Sequence, residues 1–203
     1  LSPLADFVKW KPETTDSESR TLKAVRLYQK LLDFHQNDAD KSALLDADLH
    51  RLQFAYNASF GPEKSGRYKA ALQDYIAHWG DHELSAMARF RFASLLNEEG
   101  EAVEARRIAE AGAKAFPESA GGINCYNLIQ TIESPRLEVQ TERAWAEPWP
   151  ALRVKYRNLT RVHFRAYPVD YVARIARPKT WRPEQFSEEE RRELLKTAPA
   201  LTW

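Results

Sequence analysis

Six cationic side chains at near-even spacing, Arg153, Lys155, Arg157, Arg161, His163 and Arg165, are the most conspicuous chemical feature of the chain. Such a row suits anions: nucleic acid, a sulfated glycan, or the phosphates of lipopolysaccharide. It suits an internal acidic surface equally well, because like charges opposed across a strand pair repel and need compensation. Glu138 and Glu142, on an alternating segment just upstream, are candidate partners. From residue 135 onward there are 14 Lys and Arg against 9 Asp and Glu, whereas residues 1–134 hold 16 against 20. The acidic first part favours internal or interdomain compensation over an external anion.

A second set is aromatic. Tyr56, Phe60, Tyr68, Tyr75 and Trp79 fall near one helix junction, where they can line a peptide or sugar groove or pack between helices. Packing is the simpler expectation. His78 and His82 have the four-residue spacing of helical zinc pairs, but Gly80 between them ends a helix and no third ligand accompanies them. Asp46 and His50 read as an exposed helical pair. Cys125 is the only cysteine, so no intrachain disulfide forms and a buried, hydrophobe-like thiol is expected. Asn57-Ala-Ser59 and Asn158-Leu-Thr160 match the glycosylation acceptor pattern, to which no weight is given. No Ser/His/Asp set, phosphate-binding glycine loop or paired-carboxylate motif occurs, so the chain is expected to be non-catalytic, with no cofactor and no metal. A net charge of +1 gives no global case for nucleic acid. No run is long and apolar enough to insert in a membrane. The chain lacks a signal peptide and starts on Leu, as a processed or excised piece would.

The elements that must position these residues change character at residue 135. Residues 1–20 hold Leu4, Phe7 and Trp10, then a polar linker whose Ser/Thr/Asp cluster supplies a helix N-cap near Asp16 to Ser19. Residues 21–134 carry apolar residues at three- and four-residue steps, beginning with Leu22, Val25, Leu27, Tyr28, Leu31, Leu32 and Phe34. Further helices are predicted over residues 39–59, 65–79, 83–97, 101–116 and 122–133. Ala71 and Ala105 lie 34 residues apart, and Ala93 and Pro117 lie twelve either side of Ala105. That pattern resembles tetratricopeptide repeats, with small residues where paired helices meet and a closing proline. Gly112 departs from it, and so does the wider spacing from Ala24 to Ala71. The expected form is two to three repeat units and a capping helix over residues 122–133.

Strict alternation follows in residues 136–142, 152–157 and 161–166, each placing apolar side chains on one face and polar ones on the other. The last two, joined through Asn158-Leu159-Thr160, are predicted to form an antiparallel hairpin. Residues 171–175 are expected to extend its second strand. Residues 142–150 include the aromatic loop Trp145, Pro148, Trp149 and Pro150, and residues 177–182 a basic coil around Trp181. Ser187 and Glu190 form a capping box for a helix carrying Leu194 and Leu195. The final residues to Trp203 look like the entry to a strand.

Leu-Glu-Val-Gln-Thr-Glu at 137–142, Tyr156-Arg157-Asn158, Val162-His163-Phe164-Arg165, and the Leu194-Leu195-Lys196, Pro199 and Trp203 ending together resemble large bacterial α2-macroglobulin-like proteins. The branch resembled is the one in which helical repeats precede the first macroglobulin domain. The resemblance implies an α+β fold: a tetratricopeptide-like helical array over residues 21–134, then a partial macroglobulin-type antiparallel β-sandwich over residues 135–203. It implies a non-catalytic interaction and scaffold segment, the N-terminal fragment of a periplasmic or cell-surface protease trap or envelope defence factor. Partners would be the rest of the parent chain and, through it, proteases. A sandwich cut short leaves an open edge, from which self-association through residues 136–175 is expected. Two departures stand out: the thioester motif Cys-x-Glu-Gln is absent, Cys125 lying in Asn-Cys-Tyr-Asn, and no bait segment has a counterpart. The alternative, a helical-repeat protein that captures surface glycans, would use the aromatic cluster Tyr56, Phe60, Tyr68, Tyr75 and Trp79, with the basic face as a second contact.

Overall fold

A computed structural model describes residues 1–141, 151–176 and 185–203. The chain divides into two units, Leu1–Ser134 and Pro135–Trp203.

The first unit is helical: α1 (Leu4–Lys9), α2 (Arg20–His35), α3 (Ser42–Ala58), α4 (Lys64–Trp79), α5 (Leu84–Glu98), α6 (Ala102–Ala115) and α7 (Ala120–Glu133). Each helix packs on its chain neighbour, and α5 also meets α3 and α7, an arrangement consistent with a helical array. Ser19 caps α2 by accepting from the Leu22 amide, and Ser119 caps α7 by accepting from Gly122; each satisfies an amide that the first helical turn leaves open.

Helix α3 is buried on more than one face. In α3, Leu44 and Ala47 join Phe7 and Leu32 in one core, while Leu45, Leu49 and Leu52 join Tyr68, Leu72, Tyr75, Phe92 and Leu96 in another. A helix between two cores needs apolar residues most of the way round. The stripe of α2 is narrower than its sequence implies. Leu22 and Leu32 are buried, but Leu27 and Phe34 stand 67% and 76% exposed. The close approach of α7 to α5 depends on absent side chains: a Cβ on Gly121 would lie 2.2 Å from the Met87 amide nitrogen.

The second unit holds β1 (Arg136–Gln140), β2 (Arg153–Arg157), β3 (Arg165–Ala166), α8 (Tyr171–Ile175), α9 (Glu188–Lys196) and β4 (Leu201–Thr202). β1 pairs antiparallel with β2, and β3 with β4, as two separate two-stranded ribbons. Among the described residues the expected macroglobulin-type sandwich is therefore not formed. A sandwich requires two facing sheets whose inner side chains interdigitate. Here Leu137, Val139, Tyr156 and Leu201 are all exposed, and the only buried side chain among the unit's described residues is Arg174.

The hairpin expected over residues 152–166 is also not formed. Asn158 turns the chain through a left-handed backbone (φ 55°), the partner of β2 lies upstream in β1, and residues 161–164 are outside any strand. The second run keeps only Arg165 and Ala166 as strand, paired with Thr202 and Leu201. Phe164 exchanges both main-chain bonds with Trp203, at 2.9 and 3.1 Å, and their rings stack at 5.4 Å. Residues 171–175 are helical instead of extended: Asp170 accepts from the Ala173 amide and starts α8. A good N-cap outweighed a weak alternation.

α8 and α9 are joined by one side chain. Arg174 donates to both Glu190 carboxylate oxygens, at 2.7 and 3.2 Å, and to the Gln185 carbonyl, and lies 4.0 Å from the Phe186 ring centre. The Ser187–Glu190 capping box is present. The Arg174 guanidinium and the cap hold the Glu190 carboxyl down to about 2.

Candidate functional site

The six basic residues do not share one face. Arg153, Lys155 and Arg157 lie on one side of β2, opposite Gln140, Glu138 and Arg136 of β1. Only the Lys155–Glu138 pair brings opposite charges into register; Arg157 faces Arg136, and Arg153 faces a neutral amide. Glu138 also accepts from Gln140 at 2.8 Å. Glu142, the second expected counter-charge, lies outside the described residues, as do the Trp145–Trp149 loop and the basic coil around Trp181. Arg161 and His163 occupy non-strand backbone, and Arg165 belongs to the other ribbon. The row seen in sequence is split because its two halves have different partners.

The aromatic set divides as well. Tyr68 and Tyr75 are core residues, 2% and 5% exposed. The Tyr68 hydroxyl donates to Gln53 at 2.8 Å, and the Tyr75 hydroxyl to the Leu45 carbonyl at 3.0 Å. Burial raises the pKa of both phenols. Tyr56 stacks on Tyr68 with ring centres 4.5 Å apart, and the Lys64 ammonium covers the Tyr56 ring. Phe60 stands apart, 95% exposed. Of the five, Tyr75 and Trp79 line a cleft at α3 and α4.

His78 and His82 go to different partners. The His78 Nδ1 donates to the Asp74 carbonyl, while His82 accepts from the Leu84 amide at Nδ1 and meets the Ser42 hydroxyl at Nε2. Asp46 and His50 make a long, exposed contact of 3.7 Å. Among the described residues, no three His, Cys, Asp or Glu side chains gather to hold a metal. Cys125 is fully buried, donates to the Ala86 carbonyl, and its thiol is pushed up to about 11 by burial.

The feature that sequence reasoning missed is a cleft of about 540 Å³ at α3 and α4, bordered by residues 1–5. Leu44, Leu52, Ala71, Tyr75 and Trp79 form its apolar wall, and Arg67, Asp74 and His78 its polar rim. At its base Asp48 and Arg51, one turn apart on α3, form an ion pair of 2.7 Å with side chains 9% and 3% exposed. Desolvation raises the Asp48 pKa, against the pull of Arg51. Arg51 also donates to the Ser2 carbonyl at 3.0 Å and lies 4.6 Å from the Phe7 ring centre. Across the segment, the Gln29 amide donates to the Phe7 and Trp10 carbonyls at 2.8 and 2.6 Å. Two α-helical side chains thus hold a separate stretch of chain by its main-chain oxygens, while Phe7 fills a pocket with Leu32, Leu44 and Ala47. A signal for this site exists in the sequence: Asp48 sits at the four-residue helical step between Leu44 and Leu52, on a face those leucines mark as buried, with Arg51 one turn away; charges there are retained only if paired.

Comparisons with protein-family models, with curated proteins and with solved structures find no match to this chain.

Proposed function

We propose that this chain is a non-catalytic protein-interaction and scaffold module whose working surface is the cleft side of the helical array. The observation that carries this is the grip on residues 2–10: Arg51 and Gln29 bind main-chain carbonyls and an apolar pocket takes one aromatic side chain. Carbonyls offered in an extended or helical run are the common property of polypeptides, and side chains that read them serve recognition of a peptide. The commitment of Tyr68 and Tyr75 to internal packing supports a polypeptide over a glycan, since a sugar platform needs exposed rings.

The wider assignment, to the N-terminal part of a bacterial α2-macroglobulin-like protease trap or envelope defence factor in the periplasm or at the cell surface, rests on the residue resemblance of positions 136–170. No helix among the described residues is long and apolar enough to cross a membrane. A parent gene that continues downstream into bait, thioester-type or β-sandwich domains supports this assignment, and a stop codon near Trp203 refutes it. The interaction role is tested separately, by a photo-crosslinking residue placed in the parent protein in cells. Ala70, exposed and on the cleft, is the test position; Val103 on α6, 87% exposed and outside the cleft, is the control. Polypeptide adducts at position 70 and not at 103 are expected. Equal labelling at both, or none at 70, refutes the role.

A further inference from the structure

We infer that the groove between α2, α3 and α4 is a receptor for a short amphipathic peptide segment with apolar residues at i, i+3 and i+4, and that residues 1–10 are a ligand carried in cis. The inference rests on the interaction role proposed above and specifies its ligand. Its occupant is a partner polypeptide of the same chemistry as Leu4, Phe7 and Val8, able to displace the resident segment.

Four observations point this way. First, α1 has only six residues, far short of the length at which a helix holds in water by itself. Its order comes from the groove, as with a peptide that folds on binding. Second, the segment's commitment to the core is limited: Phe7 is its one buried side chain, with Leu1, Leu4 and Val8 partly buried and Trp10 51% exposed. Third, residues 11–19 between α1 and α2 are almost wholly exposed. Nine such residues span up to about 30 Å, enough to let the segment leave without disturbing α2. Fourth, the resident segment fills the groove incompletely. Beside Leu1 to Ala5 the cleft of about 540 Å³ remains against Leu52, Ala71, Tyr75 and Trp79, so a ligand with a larger side chain at the Ala5 position gains apolar contact.

These features make cis occupancy self-limiting. A short tether supplies an effective concentration on the order of millimolar. A segment with a trans Kd of roughly 100 µM is then docked about nine-tenths of the time, and a tighter partner displaces it. Gln29 and Arg51 contact main-chain oxygens, so the hydrogen bonds tolerate many sequences. Discrimination falls to the Phe7 pocket, bounded by Leu32, Leu44 and Ala47 under the Arg51 guanidinium.

The test uses the full chain with a site-specific protease sequence replacing residues 14–17, cut after purification. The probe is a fluorescent synthetic peptide of residues 1–11, followed by anisotropy. The cut chain is expected to bind it saturably, and the uncut chain at least about tenfold more weakly because the tethered copy competes. A Phe7→Ala peptide is expected to lose at least about a hundredfold, and Gln29→Ala in the chain about tenfold, through its two carbonyl contacts. An Ala5→Leu peptide is expected to bind severalfold tighter. A cut segment that stays with the chain through gel filtration and never exchanges overturns the inference, as does a loss of helicity on its release greater than the six residues of α1 account for, because residues 1–10 would then be core. A concentration-dependent dimer of the uncut chain that Phe7→Ala abolishes would make a second copy the occupant and overturn the assignment to a partner. None of these failures alters the crosslinking result at Ala70, which judges the interaction role separately.

Discussion

Replacing Asp48 by Ala is the sharpest single test of how the cleft is built. Among the described residues, the substitution leaves the Arg51 guanidinium, 3% exposed, with the Ser2 carbonyl and the Phe7 ring as partners. Removing one member of a buried ion pair costs about 3–5 kcal/mol, because the other charge stays desolvated without compensation. At roughly 3–5 °C per kcal/mol for a unit of this size, the melting temperature should fall by about 10–20 °C. Asp48→Asn keeps an oxygen acceptor for Arg51 Nε and should cost less than half as much. The double variant Asp48→Leu with Arg51→Met removes both charges and should lie within about 2 kcal/mol of wild type, giving a large coupling term in the cycle. Thermal and denaturant unfolding followed by helical circular dichroism at pH 7 reads all four forms. A loss below about 1 kcal/mol for Asp48→Ala, or a double variant as unstable as the sum of the singles, refutes the buried-pair account. The pH dependence has a fixed sign. Burial raises the folded pKa of Asp48 above its unfolded value of about 3.9, so across that window the native state holds more protons and ionisation opposes folding. The stability of wild type relative to Asp48→Asn should therefore be greatest below the unfolded pKa and decline as pH rises from there through the folded one.

Three further outcomes are expected. Gly121→Ala puts a methyl 2.2 Å from the Met87 amide nitrogen and 2.6 Å from the Ala86 carbonyl carbon, forcing α7 off α5. A loss of at least about 2 kcal/mol in denaturant melts is expected, whereas Gly66→Ala, with nothing within 4 Å, should be neutral or stabilise by about 0.5–1 kcal/mol. Cys125, with its thiol pushed up to about 11, should resist a thiol-specific disulfide reagent at pH 8 and react at once in denaturant; fast reaction of the native chain would contradict its placement. Ser187→Ala removes one half of the capping box and should cost about 1 kcal/mol of local helix stability, read as faster amide exchange in the first turn of α9. With Glu190 held down to about 2, what its ionised form contributes to the α8–α9 contact is present above its unfolded value and lost as pH falls toward 2. Acid titration of that exchange checks the order of events.

Much of the helical unit is legible residue by residue. The expected ends at Trp79, near Asn97 and at Glu133 are each within a residue of those found, because capping residues, glycines and prolines act on their own few neighbours. The Ser187–Glu190 box is legible for the same reason. The candidate sites were harder. Alternation placed Arg153, Lys155 and Arg157 on one face of a strand correctly, but the row could not reveal that Arg165 pairs with Thr202 instead. Tyr68 and Phe60 looked alike in a list of aromatics, yet one is 2% exposed and the other 95%, a difference that depends on which helix lies alongside. Asp48 and Arg51 give a weaker signal, because a charge pair three apart on a helix is usually solvated, whereas in the fold their side chains are 9% and 3% exposed.

By itself, the sequence determined which stretches are helical in the first unit, where they start and stop, and which runs in the second have strand periodicity. These are properties of residues within about four positions of one another, and their chemistry is complete at that range. The tertiary structure alone decided strand partners, the division of the aromatics, and the capture of residues 1–10 by α2 and α3. A strand's outward N–H and C=O groups bond equally well to any strand that reaches them, so β2 pairs with β1 and not with the run that follows it. The anticipated sandwich fails on the same ground: alternation says that one face of a strand is apolar, but covering that face needs a second sheet. Among the described residues the two ribbons leave Leu137, Val139 and Tyr156 exposed.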